Sequence, residues 1–287
     1  MPAHTMMRRL LLLILIASLA LAARAQSGYL GFDRNEYPGD AALPALRKTF
    51  RFTSYWLNTP PEARGNSWVG KRALLKERGF GFLVLFNGRL ADALGKDPAA
   101  LGTADGKAAA AAAAHEGFER SVLIFLDQEE GGRLTPQQVD YLFAWVDAVR
   151  AAGDRAGVYC SGITIADESG MISTVQHIAE LEETRTDKAA EHGRPERLAI
   201  WVANDQCPPS PGCTVKKPPM GAGLLHLPAV YSPVWQYAQS PRRAEFTAGC
   251  KKNYAPDNNC YAPGMPQDAN SFIDLNVAES PDPSEAR

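Results

Sequence analysis

Eight short apolar runs punctuate the chain, and most are continuous rather than alternating. They cover residues 29–33 (YLGFD), 50–57 (FRFTSYWL), 81–87 (GFLVLFN), 121–127 (SVLIFLD), 156–160 (AGVYC), 198–203 (LAIWVA), 234–238 (VWQYA) and 272–275 (FIDL). Strands that are apolar throughout are buried on both faces, the mark of a parallel sheet. Helical spacing separates the early strands. It predicts one helix from Asn66 or Ser67 through Glu77, ended by Gly79, and one capped by Asp105 that runs through the alanine-rich stretch to about Phe118. A third opens at Thr135-Pro136 and ends at Gly153, with Val139, Leu142, Phe143, Val146 and Val149 on one face; a fourth runs from Ser173 to about Thr184. Alanine favours helix strongly enough that the alanine-rich patch needs no other purpose.

Strands alternating with helices indicate an α/β fold, and eight of them in one domain-sized chain favour a (β/α)8 TIM-type barrel over an open sheet. The stretches after the sixth strand carry Pro, Gly and Cys and no clear helical pattern, so the late helices are expected to be vestigial or missing. Residues 281–287 (PDPSEAR) read as a disordered tail.

The N-terminus changes the picture of where the protein works. Arg8 and Arg9 precede an apolar run over residues 10–22, and Ala23-Arg24-Ala25 places small residues two apart. This is a signal-peptide pattern over residues 1–25, with cleavage expected after Ala25 and a domain over residues 26–280. The protein is expected to be secreted or periplasmic, with no membrane contact after signal removal. The formal net charge is −2, and removing Arg8, Arg9 and Arg24 makes it more negative. No basic excess exists to hold nucleic acid. In an exported chain Cys207 is expected to pair with Cys213 across a turn-forming insert, and Cys250 with Cys260, leaving Cys160 as a buried free thiol.

Catalytic groups of such barrels lie at the C-terminal ends of the strands. There this chain places Asp33, Asp127, Glu129, Asp205 and Asp274. Asp127 and Glu129 are two residues apart, which on a strand points both side chains the same way about 6.5–7 Å apart. Two carboxyls in one pocket repel, so one is held protonated as a general acid, the asymmetry that glycosidic cleavage requires. Capping of the following turn is the competing use of such a pair. Tyr55, Trp56, Tyr159, Trp201, Trp235 and Tyr237 lie in or at the ends of strands and suit the apolar faces of sugar rings, although core packing claims such rings too. Gly65-Asn66-Ser67-Trp68-Val69-Gly70-Lys71-Arg72 falls short of a phosphate loop because Arg72 stands where the hydroxyl belongs. The five histidines show no zinc spacing, and nothing suggests a cofactor.

Gly31-Phe32-Asp33, Asp127-x-Glu129, Trp201-Val202-Ala203, Trp235-Gln236-Tyr237 and Ile273-Asp274-Leu275-Asn276 follow one another in an order that resembles the glycoside hydrolase family 25 lysozymes. The closer resemblance is to the glycoside-hydrolase-like group called domain of unknown function 1906. The resemblance implies a similar barrel, with Glu129 as proton donor, Asp127 as its partner and Asp33 and Asp274 completing the site. It also implies an amino-sugar polymer such as peptidoglycan as substrate. One departure is the sequence Asp33-Arg34-Asn35-Glu36-Tyr37, where the family has Asp-Val-Ser; Arg34 is expected to pair with a carboxylate and depress its pKa. The Glu129-Glu130-Gly131-Gly132 extension has no counterpart in the family. Two functions remain open at this point: a secreted glycoside hydrolase, or a non-catalytic barrel that binds glycan or another surface partner through the same rim.

Overall fold

The continuous apolar runs become the wall of a closed barrel. The computed structural model describes residues 28–189, 196–204, 230–240 and 273–285. Its barrel strands are β1 (Tyr29–Asp33), β2 (Phe52–Trp56), β3 (Gly81–Asn87), β4 (Leu123–Gln128), β5 (Arg155–Ser161), β8 (Leu198–Ala203), β9 (Val230–Ser240) and β10 (Ile273–Ala278). They close in the order β1-β10-β9-β8-β5-β4-β3-β2. A separate hairpin of β6 (Ile165–Asp167) and β7 (Gly170–Ile172) follows β5 and was not expected from the sequence pattern. The helices are α1 (Leu43–Thr49), α2 (Arg72–Glu77), α3 (Pro98–His115), α4 (Pro136–Ala151) and α5 (Thr174–Ala189).

The ring is not wholly parallel. β10 runs antiparallel to both of its neighbours, β1 and β9. An apolar run carries no sign of its direction, so the pattern of hydrophobic positions is the same either way. A bulge in the β9–β10 pairing sits between Leu275 and Asn276.

Local signals explain where the helices differ from expectation. α3 begins at Asp97, whose carboxylate accepts the Ala100 N–H at 3.0 Å with Pro98 behind it. Asp105 instead lies inside α3 and accepts from Arg89 at 2.6 Å and Tyr141 at 2.9 Å. α2 is shorter than expected because Asn66 uses its side chain on Trp56 O and the Trp68 N–H, which makes a turn rather than a cap. α4 starts as expected, on a reciprocal box between Thr135 and Gln138. The alanine-rich helix α3 also has a packing role. A Cβ on Gly102 would lie 2.2 Å from Tyr141 O, and one on Gly106 2.6 Å from Trp145 O, so small residues let α3 lie directly against α4.

The C-terminal segment corrects the expected disordered tail, at least as far as Glu285. Ser284 is fully buried; its Oγ accepts the Val84 N–H at 2.9 Å and its carbonyl accepts the Leu123 N–H at 2.8 Å. Asp282 takes the Phe82 N–H at 2.9 Å, and Glu285 pairs with Arg72 at 2.5 Å. The polar composition of this segment serves the open backbone groups at the N-terminal ends of β3 and β4.

Cys160 is buried and free. Cys207, Cys213, Cys250, Cys260, Asp205, the signal-like N-terminus and the stretches that would hold late helices lie outside the described residues. Among the described residues no helix is long and apolar enough to cross a membrane.

Candidate active site

Alternation along each strand decides which side chains reach the barrel interior. Asp33 ends β1, and its register partner across β1 and β10 is Asp274. The reversal of β10 brings Asp274 to this rim, because the first residues of an antiparallel strand lie beside the last residues of its parallel neighbours. Asp127, near the end of β4, is in register with Asn87 on β3 and Tyr159 on β5. Glu129 follows β4 and stands exposed at the mouth. Its position is set from behind. Glu130 turns away and accepts from the Ala91 N–H at 2.9 Å and the Gln138 side chain at 2.5 Å, which ties the extension to α4.

Tyr159 is the centre of the arrangement. Its hydroxyl is pushed well above its ordinary pKa by burial, then by Asp33, Glu129, Asp274 and Asp127 in turn, so all four carboxyls act on one point. An open cleft of about 590 Å³ lies over this rim, lined by Asp33, Arg34, Glu36, Glu62 and Asp274 among others. Among the described residues, no group of side chains there is arranged to hold a metal ion.

The carboxyls differ in their surroundings. Asp33 is 9% exposed and accepts from Asn276 Nδ2 at 2.6 Å and from Gln236 Nε2 at 3.2 and 3.4 Å. Burial outweighs these bonds and pushes its pKa up to about 6. Asp127 is 3% exposed, and neither carboxylate oxygen has a hydrogen-bond partner among the described residues. Burial, then the charges of Glu129 and Asp33, hold its pKa well above the usual carboxylate range. Glu129 is also raised, by the surrounding protein first and then by Asp33 and Glu62.

Burial lowers the pKa of the Arg34 guanidinium, and the Glu36 charge opposes that. The raised pKa values of Asp33, Asp127 and Glu129 carry no downward contribution from Arg34. Its main chain does the structural work: Arg34 O accepts from Trp56 Nε1 at 3.0 Å and from Ser54 Oγ at 3.3 Å.

The aromatic residues divide. Tyr159 and Trp201 face the interior, 4.8 Å apart between ring centroids, and Trp201 also meets Phe125. Trp56 lies on the same side of β2 as Ser54, beside Arg34. Tyr55 faces outward, packed against Trp68, Phe82 and Phe118 and hydrogen-bonded to Glu116, and so is not a cleft residue. Trp235 and Tyr237 are also displaced from the expected site. Gln236 between them points inward, so Trp235 packs on the outer face with Tyr237, ring centroids 6.3 Å apart, and donates to Asn204 O at 2.9 Å. These rings serve the layer behind the barrel wall. Gln236 and Asn276 were missed as site residues, although both stand in the sequence motifs; a polar amide inside an otherwise apolar strand was the available signal.

Several solved structures are similar to this chain to differing degrees. An uncharacterized B. stearothermophilus protein is 18% identical, over 88% of this chain and 96% of that one, with a TM-score of 0.52. The Mycobacterium tuberculosis Tat-secreted protein Rv2525c in complex with HEPES is 12% identical, over 91% of this chain and all of that one (100%), with a TM-score of 0.45. The Clostridium perfringens spore cortex lytic enzyme SleM is 12% identical, over 88% of this chain and 68% of that one, with a TM-score of 0.49. At such identities the first likeness speaks for the fold alone. No curated protein matches the chain in sequence. The span that does match a family model contains Asp127, Glu129, Tyr159 and Trp201, and leaves Asp33 and Asp274 on either side. Over residues 66–208 this chain is similar to the Rv2525c-like, glycoside hydrolase-like domain.

Proposed function

We propose that this barrel hydrolyses a glycosidic bond in an amino-sugar polymer such as peptidoglycan. The observation that carries the reading is Glu129: an exposed residue just past β4 whose carboxyl is held toward its protonated form by the surrounding protein first, and then by Asp33 and Glu62, which line the cleft. A raised carboxyl in reach of solvent is what a general acid needs. Glu129 donates its proton to the bridging oxygen as the glycosidic C–O bond breaks. Asp33 supplies the negative charge that faces the positive centre developing on the sugar, and Asp127 orients an N-acetyl oxygen that attacks it, or stabilises that centre once ionised. Water then adds at the sugar carbon and returns a proton to the Glu129 carboxylate. The family match over residues 66–208 and the motif order resembling family 25 lysozymes support this reading. The Arg8–Arg9 start and the apolar run after it support export to where such a polymer lies.

A non-catalytic glycan-binding barrel is the second reading. It is favoured by Arg34, a cation in the cleft wall next to Asp33. Incubation with purified cell walls separates the two. Hydrolysis releases reducing ends, and Glu129→Gln lowers the rate by about 10²-fold or more while the protein stays folded. Wall binding with no released ends would establish the second reading, and full activity in Glu129→Gln would remove Glu129 as the acid.

A further inference from the structure

Two amide side chains that belong to neither the acid nor its partner are hydrogen-bonded into this cluster. The Trp201 indole N–H can only donate, and it donates to Asn276 Oδ1 at 2.9 Å. The NH2 end of Asn276 is thereby turned to Asp33 Oδ2, at 2.6 Å. Gln236 is set in the same sense. Its Oε1 accepts from the Tyr159 hydroxyl at 2.9 Å, and its Nε2 spans Asp33 and Asp274 Oδ2, the latter at 3.1 Å. Tyr159 keeps its proton amid four carboxyls and so stays a donor. Asp33 is met by N–H groups from two side chains, and Asp127 by none among the described residues. Hydrogen bonds donated to a carboxylate favour its charged form.

We infer that Asn276, turned by Trp201, and Gln236, turned by Tyr159, are positioning residues that keep Asp33 as the resident anion of the site, so that protons rest on Asp127 and Glu129. The role assigned to the Glu129 proton rests on the hydrolase reading; the clamp itself does not. The charged and titratable groups around Asp33 come from every side: Asp274 on β10, Asp127 and Glu129 at the end of β4, and Tyr159 on β5. Arg34 adjoins it in sequence and also feels the Glu36 charge, and Glu62 acts on Glu129. Among these, Asp33 is the charge that contributes most to holding the proton on Glu129. The amides therefore act on the acid through Asp33, without touching substrate.

The test is a carboxyl titration of the full chain by carbon NMR with labelled Asp and Glu, the signals assigned from Asp33→Asn and Glu129→Gln. Trp201→Phe keeps a ring against Phe125 and Tyr159 and removes only the indole donor; Asn276→Ala removes the amide. In both, the Asp33 titration should move up by about one pH unit. Over the pH range in which Asp33 has become neutral, Glu129 should release its proton more easily. Should Asn276→Ala not fold, Trp201→Phe still decides the matter. An unmoved Asp33 titration in the folded variants would overturn the inference, as would Asp127 ionising ahead of Asp33 in the unaltered protein. Shifted titrations without wall hydrolysis keep the clamp and remove the hydrolase; wall hydrolysis with unmoved titrations does the reverse.

Discussion

Asp33 and Asp274 face each other in register across the β1–β10 seam, although they come from opposite ends of the chain, and one amide, Gln236, donates to both. The seam thus closes the barrel over a buried carboxyl, Asp33, and that burial bears directly on stability. The Asp33 carboxyl goes from an ordinary value of 3.8 to about 6 on folding. The folded protein then holds this proton more tightly than the unfolded chain, so stability falls as pH rises through that window and is level above it. A shift of this size corresponds to about 3 kcal/mol. Urea unfolding should show a protein more stable near pH 4 than near pH 7, and Asp33→Asn should flatten much of that slope. An unchanged slope in Asp33→Asn would show that Asp33 titrates alike in both states.

Asp127→Asn should raise stability and lower activity together. The carboxyl is buried without a partner among the described residues and is pushed up by its neighbours. Removing its charge should add about 1–3 kcal/mol near pH 8 and much less near pH 4, where the carboxyl is already neutral. Thermal unfolding at the two pH values checks this. A loss of stability at pH 8 would mean that Asp127 is an anion held by contacts other than those described.

The C-terminal segment should behave as part of the fold. Ser284→Ala leaves the buried Val84 N–H without its acceptor and should cost about 1–3 kcal/mol. Ending the chain at Glu279 removes the acceptors for Phe82, Val84 and Leu123 together and should abolish cooperative unfolding. A truncated protein with unchanged urea midpoint would return this segment to the status of a tail.

Cys160 should be silent toward thiol reagents in the native protein and react after unfolding, because burial pushes its thiol pKa up. Peptide mapping without reductant should recover Cys207 linked to Cys213 and Cys250 to Cys260, the pairing proposed from their spacing. A native Cys160 that labels quickly, or a link that includes it, would contradict this.

Much of the barrel was legible because its strands are continuous apolar runs. Asp33, Asp127 and Asp274 could be placed at a rim because each lies at or near the end of such a run. Two kinds of information were not available in that pattern. Strands buried on both faces give no phase, so Tyr55, Trp235 and Tyr237 could not be assigned to the interior or the outer layer before the inward direction of Gln236 and Ser54 was known. Nor does hydrophobicity carry direction, which hid the reversal of β10. The segment 279–285 looked unstructured because its composition is polar, yet its partners are backbone groups of β3 and β4, which any sequence presents.

The reversal of β10 also decides how the molecule can be mounted. β1 enters the barrel at the end opposite the cleft, and Ala278, opposite Tyr29 in register, leaves at that same end. In a wholly parallel ring the last strand would leave at the mouth, and any further chain would have to cross it. Here a surface tether or a fused partner attached on either side can grip the barrel by its base. The cleft is then presented outward, unobstructed by the point of attachment.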